Sequence, residues 1–241
     1  MLAACTGRTN VHFLHIRKTG GTALKSALRA HQITPVAVLH MHPHRIGLAH
    51  VPRTHRIIFV TRDPVARFVS GFGSRLRQGA PANHVPWTPA EERAFKRFSM
   101  PNDLALALNP AHPKHAEACE AMQAISHLRC SYWDWFGDAD QLRARRDSLL
   151  FIGRIESFDA DFQQLKAVLR LPDEIVLSSD ARLAHRSTDT KKPVLDAEAL
   201  RSLQEWYCAD YEFIAFCEEW RAEQGGPVAK RFATNRAAGL A

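Results

Sequence analysis

The sequence contains no run approaching the ~18 consecutive apolar residues that a membrane helix needs. Its apolar stretches, such as Ile57 to Val60 and Leu104 to Leu108, have the length of core elements. Cysteine is scarce: the five residues at 5, 119, 130, 208 and 217 include no C-x-x-C pair, which excludes a disulfide scaffold and leads us to expect a reduced, cytoplasmic protein. Met1-Leu2-Ala3-Ala4-Cys5 lacks the basic and apolar segments of a lipoprotein signal. There is no internal repeat, so solenoids are excluded. The basic residues Lys191, Lys192, Lys230, Arg231 and Arg236 are too sparse for a nucleic-acid stripe, and no zinc-finger, RNA-recognition or helix-turn-helix signature accompanies them.

What is present is a globular composition, 46% hydrophobic and 24% charged, in 241 residues, with a net charge of +7. The charge points to an anionic ligand or polymer without saying which. The length suits one α/β domain over 1–241, with a core at about 11–220 and a frayed tail at 225–241.

Four segments read as buried strands: Val11 to Ile16, Arg56 to Thr61, Ser148 to Gly153 and Glu174 to Leu177. Each of the first three is followed by a helical pattern. Leu24, Ala27 and Leu28 share a face; Asp63-Pro64 supplies a cap and a first-turn proline ahead of Val65, Phe68, Val69 and Phe72; Phe158, Phe162, Leu165 and Leu169 repeat the pattern up to Pro172. Strand-helix alternation implies a parallel sheet in a P-loop-like three-layer α/β fold. Residues about 78–147 read as a helical insertion, opened by the capping box Thr88-Pro89-Ala90-Glu91. Two more helices are expected, from Asp196 to Tyr207 and from Asp210 to Arg221.

Two motifs carry chemistry. His15 to Leu24, HIRKTGGTAL, joins a strand to a helix through Gly20 and Gly21. Glycines permit the positive φ angles that turn successive N–H groups into one concavity, and the helix start adds free donors and partial positive charge. Lys18 adds a mobile cation, and Thr19 and Thr22 add hydroxyls. The segment is neither a Walker A loop, since its lysine precedes the glycines, nor G-x-G-x-x-G. The second motif, Thr61 to Phe72, TRDPVARFVSGF, sets Arg62 at the end of a buried strand, where open α/β sheets bind ligands, with Ser70 on the next helix. Arg67 is expected on a solvated helix face. Two anion sites suggest one ligand with two phosphates.

Together these motifs resemble the 3'-phosphoadenosine 5'-phosphosulfate-dependent sulfotransferases, specifically the branch with heparan 2-O-sulfotransferase, chondroitin sulfotransferases and many bacterial proteins. That branch reads HIPKTGGTSL and RDPVERFVSxY. Weaker likenesses are Gly153 to Phe158 to its G-x-x-E-x-F segment, His185 to Thr188 to its late polar loop, and Tyr207, Asp210 and Tyr211 to its Y-x-x-D-Y pattern. Departures are Arg17 for proline, Ala23 for serine and Ala66 for glutamate. The resemblance implies that Lys18, with the backbone of Thr19, Gly20, Gly21, Thr22 and Ala23, holds the 5'-phosphosulfate. Arg62 and Ser70 would hold the 3'-phosphate, with Arg186 as a further contact. It implies no metal, a product adenosine 3',5'-bisphosphate, and a hydroxyl acceptor on a saccharide.

An attacking hydroxyl must lose a proton, so a base is required. His40, His42 and His44 form a dense run ahead of Arg62. Family members often carry a histidine about where His42 stands, and we take His42 as the base, with His40 and His44 as rivals. If the run is extended, all three share one face, a pattern that would also suit a metal. His12 and His15 are expected to be structural, Trp133-Asp134-Trp135 to be core, and Cys119 and Cys130 to be inert. Two other functions share these features: an ATP-dependent P-loop phosphotransferase, and a noncatalytic protein that binds anionic glycans.

Overall fold

A computed structural model describes residues 7–81, 83–178 and 193–224. Among these, the chain forms two compact units, one drawn from 7–61, 133–178 and 214–224, the other from 62–81, 83–132 and 193–213.

The first unit holds a four-stranded parallel sheet, β1 (Thr9–Phe13), β2 (Ala37–Met41), β3 (Arg56–Thr61) and β4 (Leu149–Arg154), in the order β2-β1-β3-β4. β1 is followed by helix α1 (Gly21–Leu28) and β4 by α8 (Phe158–Leu169). Side chains alternate across a strand. Val11 and Phe13 of β1, Leu39 of β2, Ile58 and Val60 of β3 therefore point one way, into a core closed by Leu24, Leu28, Phe162 and Leu165. The opposite face receives Asn10, His12, His40 and, further along the chain, His42. The fold is the expected α/β class with a central parallel sheet. One strand is corrected: Ala37–Met41 is the fourth strand, whereas Glu174 to Leu177 forms none. Ile175 is buried there and Leu177 packs partly against the same core, but Val176 is 67% exposed and the segment joins no ladder.

The second unit is helical: α2 (Pro64–Leu76), α3 (Pro89–Arg97), α4 (Pro101–Leu106), α5 (His115–Ala124) and α9 (Ala197–Trp206), around Phe68, Phe72, Phe95, Leu104, Met122 and Leu203. The short helices α6 (Trp133–Phe136) and α7 (Ala139–Arg143) belong to the first unit, and α10 (Cys208–Glu223) contributes to both.

The helix starts follow from the caps read in the sequence. Asp63 accepts the Ala66 N–H at 2.8 Å, and Asp196 accepts that of Ala199 at 2.8 Å. Thr88 and Glu91 form the reciprocal box, Glu91 N–H to Thr88 Oγ1 at 3.2 Å and Thr88 N–H to Glu91 Oε2 at 3.1 Å. Glu91 also closes on Arg75 through two bonds of 2.7 and 2.8 Å. Burial pushes this carboxyl up, but the hydrogen bonds from Arg75, Thr88 and Ser126 outweigh it and hold it at about 2.

Candidate active site

The loop between β1 and α1 has the shape its glycines require. Gly20, the N-cap of α1, takes φ 79°, and Lys18 takes φ 65°, so two nearby residues lie in the left-handed region. A Cβ on Gly20 would approach Ile155 to 2.6 Å and Phe158 to 3.2 Å, so the G-x-x-E-x-F segment forms the wall behind the loop. A Cβ on Gly21 would run into the His15 imidazole. Glycine at the N-cap brings no side chain to cover the first N–H groups of α1, which remain donors for an anion. Lys18 is half-buried. The Thr19 hydroxyl, expected to face a ligand, is buried and donates to the Ile16 carbonyl at 3.2 Å, bracing the loop from inside. Ala23 is buried, and Thr22 is half-buried.

The three rival histidines have different neighbours. His40, paired in register with His12, bonds through Nε2 to Asn10 Oδ1 at 2.8 Å. His42 follows β2 and bonds through Nε2 to His12 Nδ1 at 2.7 Å. His44 donates from Nδ1 to the His15 carbonyl at 2.7 Å, lies against the His15 ring with centroids 3.9 Å apart, and has its own carbonyl held by Trp135 Nε1 at 2.7 Å. Burial lowers the pKa of all three. For His42 the neighbouring His40, Lys25 and His50 add to the effect; for His44 the cations Arg17, Lys25 and Lys18 do. His12, expected to be structural, is buried and joins a wider cluster: its Nε2 lies 2.8 Å from His55 Nδ1, and its ring stacks on His40 at 4.5 Å. Burial first, then His40, His42, His55 and Arg145, push His12 down to about 3. Among the described residues no group of three or more His, Cys, Asp or Glu is arranged to hold a metal.

In the second unit, Arg62 directly follows β3. Its backbone is pinned by one side chain: the Tyr132 hydroxyl accepts the Arg62 N–H at 2.9 Å and donates to the Arg62 carbonyl at 2.6 Å. Ser70 is half-exposed on α2. Arg67 does not lie on a solvated face. It is 2% exposed, ion-paired with Asp210, bonded to the Cys130 carbonyl at 2.9 Å, and set over the Tyr132 ring at 4.6 Å. Asp210 accepts in addition from Ser131 at 2.5 Å and from the Tyr132 N–H at 2.8 Å. Tyr211 donates to Asp63 at 3.0 Å, and the Tyr207 ring also faces Arg67. The Y-x-x-D-Y residues thus fasten the segment that begins at Arg62.

Residues 3–216 match the model of the sulfotransferase family. The chain belongs to the sulfotransferase family. No curated protein matches it. The family match runs across residues of both compact units.

Some of the site was not visible in the sequence. Nothing local marks Tyr132 as the clamp on Arg62 or His55 as a neighbour of His12; the first pair meets in the helical unit across 70 residues, and the sheet brings the second together. Arg186 lies outside the described residues. Of Trp133-Asp134-Trp135, expected to be core, Trp135 is buried, Trp133 half-buried and Asp134 exposed, while Cys119, expected to be inert, has His115 Nε2 3.5 Å from its Sγ. Among the described residues no helix is long and apolar enough to cross a membrane.

Proposed function

We propose that this sulfotransferase moves a sulfuryl group from 3'-phosphoadenosine 5'-phosphosulfate to a saccharide hydroxyl, as in the heparan 2-O-sulfotransferase-like branch, with His42 as base. The observation that carries this reading is the β1–α1 loop: Lys18 and Gly20 both left-handed, and the first N–H groups of α1 free of any side-chain cap. That loop suits the 5'-phosphosulfate end. Arg62 and Ser70 take the 3'-phosphate, an assignment that rests on the two motifs occurring together in the sequence. When bound, the donor supplies an activated sulfuryl group; Lys18 and the loop amides stabilise charge on its leaving phosphate more strongly in the transition state than before it.

His42 suits the base because it is half-buried, burial lowers its pKa and so favours the neutral ring, and its Nε2 is tied to His12, which leaves Nδ1 for a hydroxyl. His44 is the second reading, favoured by its Nδ1–H bond to the His15 carbonyl, which fixes Nε2 as an acceptor. The four described cysteines are free thiols, in keeping with a cytoplasmic enzyme.

Calorimetry with adenosine 3',5'-bisphosphate tests the donor. We expect binding to the parent that weakens in Lys18→Ala and in Arg62→Ala. Tighter binding of ATP with magnesium would favour a phosphotransferase instead. A screen of saccharide acceptors with labelled donor tests transfer; binding of anionic glycans with no transfer would favour the noncatalytic reading. His42→Ala is expected to slow transfer by roughly 10² to 10⁴ with bisphosphate affinity intact. The same loss in His44→Ala, with His42→Ala at the parent rate, would move the base to His44.

A further inference from the structure

Three imidazoles form an unbroken line in the first unit. His42 Nε2 meets His12 Nδ1 at 2.7 Å, and His12 Nε2 meets His55 Nδ1 at 2.8 Å. A neutral imidazole donates from one nitrogen and accepts at the other. With both hydrogen bonds made, only two proton arrangements are consistent. Either all three rings carry their proton on Nε2, or all three carry it on Nδ1. In the first, His42 presents a lone pair at Nδ1; in the second, that nitrogen is already protonated.

We propose that His42, His12 and His55 form a proton relay that carries the acceptor's proton away from the reacting centre. The proposal rests on His42 being the base. As the acceptor oxygen bonds to sulfur and the bond from sulfur to the bridging oxygen breaks, its electron pair leaving on the phosphate, the hydroxyl proton passes to His42 Nδ1. The Nε2 proton of His42 moves to His12 Nδ1, that of His12 to His55 Nδ1, and that of His55 to water. The line has then changed from its first arrangement to its second with no charge left on any ring. Once product has departed, loss of the Nδ1 proton from His42 and entry of one at His55 Nε2 reset it.

The surroundings favour transfer without a resting charge. His12 is 7% exposed, and a cation there would be enclosed by His40, His42, His55 and Arg145. His55 and His42 are each half-exposed, so the two ends of the line reach solvent while its middle does not. His40 stays outside the line: it stacks on His12 and keeps its Nε2 on Asn10. His12 and His55 are therefore positioning and relay groups; the one group facing substrate is His42.

Two measurements test this on the full chain. Long-range proton–nitrogen NMR of histidine-labelled protein reads the tautomer of each ring without substrate. We expect His42, His12 and His55 all to carry their proton on Nε2, the arrangement that leaves His42 Nδ1 able to accept; protonation of any of the three on Nδ1 in the resting protein would overturn the relay. The second measurement is sulfate release from the phosphosulfate donor with water as acceptor. His55→Ala and His12→Gln are each expected to lower kcat about tenfold, less than the roughly 10² to 10⁴ expected for loss of the base itself, with donor KM unchanged and added imidazole restoring the rate. Parent kcat in both, alongside a slow His42→Ala, would remove the relay and leave the base in place. Parent kcat in His42→Ala would remove the base itself.

Discussion

Replacing Tyr132 by phenylalanine isolates one oxygen atom. The ring is fully buried, stacked on Phe213 with centroids 4.8 Å apart and lying under the Arg67 guanidinium, and phenylalanine keeps both contacts. What disappears is the hydroxyl that serves the Arg62 N–H at 2.9 Å and the Arg62 carbonyl at 2.6 Å. An unsatisfied buried backbone group costs about 1–3 kcal/mol, but Arg62 is half-exposed and water can replace part of the loss. We therefore expect about 2 kcal/mol for the pair together, which lowers Tm by about 4–8 °C for a chain of this size. Freeing the backbone also loosens the side chain assigned to the 3'-phosphate, so affinity for adenosine 3',5'-bisphosphate is expected to fall roughly 5- to 30-fold, equivalent to about 1–2 kcal/mol. Scanning calorimetry and titration calorimetry on the same preparation read the two quantities. A lowered Tm with parent affinity would show that the clamp supports the helical unit without positioning Arg62. If neither quantity changes, the hydroxyl holds nothing and the reasoning fails.

Other perturbations have equally direct readouts. Asp210→Ala leaves Arg67 buried without its counter-ion and should cost about 3–5 kcal/mol in chemical denaturation, whereas Arg67→Met with Asp210→Leu should cost much less; equal losses would contradict this account of the pair. Gly21→Ala forces a methyl into the His15 ring and is expected to destabilise by about 1–3 kcal/mol in the same assay; an unchanged midpoint would mean the ring moves freely. Glu91, depressed to about 2 in the fold, binds its proton more readily when unfolded. Its contribution is therefore complete above the ordinary carboxylate range near pH 4.3 and is lost as pH falls towards 2. Melting curves from pH 6 to pH 2 should fall less steeply in Glu91→Gln than in the parent, and parallel curves would refute the assignment.

Much of this architecture is legible wherever local chemistry fixes it. Asp63-Pro64, Thr88 with Glu91, and Asp196 start their helices as their types and spacing require, because a cap is satisfied within four residues. β2 was missed because an edge strand carrying His40 lacks the continuous apolar run that marks β3 and β4. Arg67 was misread for a different reason. On α2 alone it is a charge that ought to face water, and its partner Asp210 lies 143 residues away. The loop at Lys18 was readable from Gly20 and Gly21. The distinctions among His40, His42 and His44 were not, since they depend on β1 residues, His12, Asn10 and the His15 carbonyl, that only the sheet register brings alongside.

Lys18 itself carries a consequence beyond binding. A side chain at φ 65° costs about 1 kcal/mol that glycine would not incur, while glycine would lose a comparable amount through its freer unfolded chain. Lys18→Gly is thus close to neutral for folding and, by the reading above, ruinous for transfer. A search for sturdier variants scored on melting alone would pass that substitution without objection. At this position fold and chemistry are selected by different measurements, and a library built on thermal tolerance would discard the enzyme while keeping the protein.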